Sequence, residues 1–125
     1  MTTAIAAGVI DLGFAAFHVL FWRLFGWPAR LQGSGTINAA ITQTMNVMLI
    51  YLFAAYGAGL IYLSNHPSGF AALFAAAGAG ALVLRAILQG VYFPMQRASS
   101  LMMVVCMLAA VLHGSVALAL SAPSL

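Results

Sequence analysis

Four long apolar runs, each interrupted by only a few polar residues, fill the chain, and short polar, glycine- or proline-bearing stretches separate them. A helix needs roughly 20 apolar residues to cross the hydrocarbon core of a bilayer. The runs at about 4–25, 37–63, 70–92 and 98–120 meet that length, so the pattern predicts four transmembrane α-helices. The first ends among Trp22, Arg23 and Trp27, an aromatic and basic flank suited to the headgroup region. Gly26, Pro28, Gly33 and Gly35 then break the chain, and Ser64-Asn65-His66-Pro67-Ser68-Gly69 forms a compact turn. Phe93-Pro94 closes the third run, because proline disfavours helix in the residue before it. The expected fold is an all-α four-transmembrane-helix bundle, a single integral membrane domain over residues 1–125.

Composition agrees with lipid as the solvent. Apolar residues make up 65% and charged residues 4% of the sequence, against about 25% charged in an ordinary soluble domain. Arg23, Arg30, Arg85 and Arg97 are isolated from one another, which excludes a basic patch for nucleic acid. Cys106 is the lone cysteine, so neither an intramolecular disulfide nor a cysteine-rich metal site is expected. The N-terminal run lacks a basic leader and carries Asp11 and His18, which reads as a retained span rather than a cleaved signal peptide. Arginines occupy the first and third connections and are missing from the second, so the positive-inside rule places those two connections in the cytoplasm. The expected location is a bacterial inner membrane with both termini periplasmic.

Small residues crowd the second and third spans. The spacings Ala54-xxx-Ala58 and Ala76-xxx-Gly80 predict close helix approach, within the bundle or between subunits of a homo-oligomer such as a dimer or trimer.

Polar side chains inside a span are costly and face the bundle interior or a hydrated cavity. Helix rise sorts them into two layers. Toward the cytoplasm, His18, Gln43, Asn46, Arg85 and Gln89 fall at similar depth, with Met102 and Cys106 entering the same zone. Toward the exterior, Asp11 and His113 coincide, a candidate proton relay or structural pair. Helical periodicity puts Asp11, Ala15, His18 and Trp22 on one face and Asn38, Thr42, Asn46 and Phe53 on another. The same reasoning groups Gly78, Arg85, Gln89 and Tyr92 in the third span, and Ser99, Met102, Cys106 and His113 in the fourth.

Arg85 is the sharpest signal, because a guanidinium stays charged and needs acceptors or an anion once it leaves water. The one acid, Asp11, falls in the other layer, so amides, backbone carbonyls or a bound anion must serve, unless Arg85 snorkels to the surface. His18 and His113 fit interhelical hydrogen bonds, proton transfer or haem ligation; a single haem between them conflicts with their different depths. No cofactor is otherwise called for, and His66 is expected to meet solvent in its turn.

The elements Phe17-His18-Val19-Leu20-Phe21-Trp22, Asn38-xxxx-Gln43-xx-Asn46 and Arg85-xxx-Gln89 resemble those of small bacterial four-helix membrane proteins of unknown function. The likeness covers most of the chain and implies the same fold, with a cytoplasmic-side cluster. The four spans and Asn46 are also similar to the membrane-associated glutathione and eicosanoid enzymes; the Arg and Glu that flank the second-span Asn in that family are missing here. Neither a carboxylate dyad, a glycine-rich phosphate loop nor a nucleophile–base triad is visible, which argues against an enzyme. The sequence therefore points first to a membrane protein binding a small anionic or amphipathic ligand, or handling protons, through His18, Gln43, Asn46, Arg85 and Gln89. A small membrane enzyme and a haem b electron carrier are the alternatives.

Overall fold

The computed structural model describes residues 2–121. They form α1 (Thr2–Val19), the short α2 (Phe21–Leu24), a 3-10 turn (Ala29–Ser34), α3 (Thr36–Leu63), α4 (Gly69–Tyr92) and α5 (Arg97–Ser121), with no strand among them. Four helices, α1, α3, α4 and α5, are long and apolar enough to span a membrane. Their surface is inverted relative to a soluble protein: Leu73, Leu108 and Leu118 are 66–74% exposed, while Asp11 and His113 are at most 1% exposed. In water that arrangement would be unstable, whereas in lipid it removes the costly groups from hydrocarbon. The protein is an all-α integral membrane protein with four transmembrane helices.

Helix ends follow local chemistry. Gly35, at φ +88, turns the chain into α3. At the other end of α3, Ser64 Oγ donates to the Ile61 carbonyl at 2.7 Å and His66 Nδ1 donates to the Tyr62 carbonyl at 2.9 Å, so side chains add donors to the carbonyls of the last turn. Ser68 caps α4 by accepting from the Ala71 N–H at 3.1 Å. Extended backbone at Phe93 stops α4 ahead of Pro94, as the sequence predicts.

The first span departs from expectation. Instead of running unbroken from Ala4 to Phe25, the helix stops at Val19. Leu20 N–H bonds the Phe17 carbonyl at 3.1 Å, and Arg23 N–H bonds the Leu20 carbonyl at 3.0 Å, so bonds spanning three residues tighten the turn. The rings of Phe17, Phe21 and Phe25 stack edge to face beyond it, with centroids 4.8–5.0 Å apart, and Trp27 joins Phe21 at 5.7 Å.

Two compact units are present, residues 8–59 and residues 2–7 with 60–121. In the first, α1 and α3 run antiparallel, with Gly8 beside Gly57, Phe14 against Phe53 at 5.3 Å, and His18 level with Asn46. A Cβ built on Gly57 would fall 2.6 Å from the Gly8 carbonyl oxygen and 3.1 Å from the Asp11 Cβ, so only glycine permits this approach. In the second unit, α4 packs along α5, bringing Gln89 to Ser99 and Gly90 to Met103. The buried stripe of α4 is Ala71, Ala75, Gly78, Leu82, Ala86 and Gln89. Ala76 and Gly80, whose spacing predicted close packing, are both exposed, and a Cβ on Gly80 would meet nothing within 4 Å.

Candidate functional site

His18, Gln43 and Asn46 belong to the unit of residues 8–59. Asn46 is 2% exposed, and its Nδ2 donates to the backbone carbonyl of His18 at 2.9 Å. That carbonyl lies in the last turn of α1, where a helix ending at Val19 withholds the usual N–H partners. The half-buried His18 donates Nδ1–H to the Phe14 carbonyl at 2.8 Å, and its ring stacks on Phe21 at 4.6 Å. Gln43 turns back on its own helix, donating to the Ala39 carbonyl at 3.3 Å. Structure therefore joins Asn46 to His18 through the backbone, while Gln43 shares α3 with Asn46 but bonds only within that helix. The Oδ1 of Asn46 is buried without a hydrogen-bond partner. Trp22, expected on the face of Asp11, Ala15 and His18, lies beyond the break and meets Trp27 instead.

Arg85 and Gln89 belong to the other unit. One helical turn apart, they are neighbours on α4. Gln89 is 4% exposed and donates Nε2–H to Ser99 Oγ at 2.7 Å, in the first turn of α5, while its Oε1 is buried without a partner. Arg85 is half-buried, and its guanidinium sits 5.4 Å from the Phe93 ring centroid. No described residue accepts a hydrogen bond from it or forms an ion pair with it. The guanidinium thus has an aromatic neighbour from the residue that closes α4. Tyr92, expected on the stripe of Arg85 and Gln89, is 74% exposed and lies outside it.

Asp11 and His113 are each buried, Asp11 in the unit of residues 8–59 and His113 in the other. His113 donates Nδ1–H to the Ala109 carbonyl at 2.8 Å, which fixes its ring and tautomer. Among the described residues no group of three or more His, Cys, Asp or Glu side chains is placed to hold a metal. Cys106 is buried as a free thiol.

Sequence reasoning missed Phe93 as the arginine's platform and named Ser99 only as part of a stripe. The signal for Phe93 was its place two turns after Arg85, within reach of a side chain that snorkels toward the helix end. A shallow groove between α4 and α5, lined by Ala72, Ala76, Gly114 and Leu118 among others, is almost wholly apolar and carries no comparable chemistry. Comparison with family models, curated proteins and solved structures returns no match.

Proposed function

We propose that this small membrane protein binds the anionic head of an amphipathic ligand at the end of α4 where Arg85 meets Phe93. One observation carries the reading: a half-buried guanidinium held over a ring, with neither a carboxylate nor a hydrogen-bonding acceptor from the described residues. Such a cation leaves five N–H donors for an external anion. The Gln89 amide, anchored on Ser99, supplies a second polar group one turn away. His18, Gln43 and Asn46 take a structural part in this reading, since the amide nitrogens of both Gln43 and Asn46 and the Nδ1 of His18 are engaged by backbone carbonyls.

Position in the membrane supports the same reading. With Arg85 reaching Phe93, all four arginines serve the first and third connections, on the side that the positive-inside rule makes cytoplasmic. Anionic lipid there attracts basic side chains by about 1 kcal/mol each, roughly fivefold in affinity. In detergent, short-chain anionic phospholipid is expected to raise the unfolding temperature of the wild type above that in phosphatidylcholine. The rise is lost in Arg85→Gln and kept in Arg30→Gln, which alters an exposed arginine of the other arginine-bearing connection. Equal stabilisation of the wild type and Arg85→Gln rules the site out.

A further inference from the structure

The end of the α4–α5 pair offers more than positive charge. Gln89 is 4% exposed, and with Nε2 fixed on Ser99 Oγ its unpartnered Oε1 is held at the first turn of α5. A carboxamide oxygen only accepts, so it calls for an O–H or N–H. Around it the chemistry has the opposite sign. Helix α5 begins at Arg97, and a helix start leaves the N–H groups of Arg97, Ala98 and Ser99 without intrahelical acceptors. Those N–H groups and the helix dipole favour an anion, and the Arg85 guanidinium adds a full charge. Donors for an anion and one buried acceptor for a donor thus share one end of the helix pair.

We propose that the ligand's head is a phosphate ester carrying a hydroxyl, the chemistry of a glycerophosphate or a phosphatidylglycerol headgroup. The phosphate is held by Arg85 and the first turn of α5, and Gln89 Oε1 accepts from the hydroxyl. This rests on the anionic-ligand reading above and narrows it: charge admits the phosphate, and the buried amide oxygen selects among phosphates. An anion without a hydroxyl leaves that oxygen unpaired. One hydrogen bond to such a group is worth about three- to tenfold in affinity.

The test titrates detergent-solubilised wild type with short-chain phosphatidylglycerol, phosphatidylmethanol and phosphatidylcholine, following binding by thermophoresis. Phosphatidylmethanol keeps the anionic diester and lacks the hydroxyl. Phosphatidylglycerol is expected to bind about three- to tenfold more tightly than phosphatidylmethanol, and both more tightly than phosphatidylcholine. In the near-isosteric Gln89→Met the first preference disappears and the second stays. Equal affinity for phosphatidylglycerol and phosphatidylmethanol in the wild type overturns the hydroxyl inference and leaves the anionic reading standing; it needs no variant to fold. Retention of the hydroxyl preference by Gln89→Met also overturns it. Loss of any preference over phosphatidylcholine overturns both readings. Glycerol phosphate binding as tightly as the short-chain lipid supports the head-group chemistry and assigns it a soluble source; much weaker binding supports it with a lipid source.

Discussion

His18, His66 and His113 each place Nδ1 2.8–2.9 Å from the carbonyl four residues earlier in the chain. A carbonyl can only accept, so Nδ1 carries the proton and the plane of each ring is set by its own helix. Asn38 and Gln43 also turn onto nearby backbone, to the Ser34 and Ala39 carbonyls. Asn46 and Gln89 behave differently, since each donates to a distant segment. Replacing Asn46 by Ala is therefore expected to leave the His18 carbonyl short of a donor and to cost about 1–3 kcal/mol. Gln43→Ala is expected to stay within about 0.5 kcal/mol, because its acceptor lies in a regular helix. Reversible unfolding in mixed micelles measures both; equal losses would contradict the assignment. Polar residue types at 43, 46, 85 and 89 were legible in the sequence. Which of them reach outward was not, because rotamer and partner depend on the neighbouring helix.

Between helices, small residues are informative only once the facing backbone is known. Gly57 lies where a Cβ would come 2.6 Å from the Gly8 carbonyl oxygen, closer than real contacts allow, so Gly57→Ala must push α1 from α3. Overpacking of this kind costs about 1–3 kcal/mol. Gly80→Ala meets nothing within 4 Å and gains helix propensity, so neutral or slightly increased stability is expected. A thermal-melt comparison of the two variants decides the matter, and destabilisation by Gly80→Ala as large as by Gly57→Ala would refute the packing. Within the chain, the buried stripe of α4 runs through Ala71, Ala75 and Gly78, and the Ala76-xxx-Gly80 spacing faces outward. The break at Val19 is of the same kind. The apolar pattern continues through Phe25, so periodicity alone gives no reason for the helix to stop, whereas the Asn46 bond to the His18 carbonyl becomes visible only in the folded unit.

At the scale of the whole chain, the proposed topology puts the two arginine-bearing connections on the cytoplasmic side and the turn at residues 64–69 outside. In a Cys106→Ser background, Asn65→Cys is expected to react with a membrane-impermeant thiol reagent in intact cells. Gln32→Cys and Gln96→Cys should react only after permeabilisation. The reverse pattern would invert the topology and place the Arg85 end outside. By itself the sequence determined that lipid is the solvent, how many helices cross it, roughly where they begin and end, and which few residues carry polar chemistry. These follow from composition and run length, because hydrocarbon penalises every charged or unsatisfied group in proportion to its depth. Tertiary structure decided that α1 stops at Val19, that Gly57 faces the Gly8 carbonyl with no room for a Cβ, and that the Arg85 guanidinium pairs with the Phe93 ring. Each of these depends on what stands opposite a side chain, a relation between distant residues that periodicity along one helix does not encode.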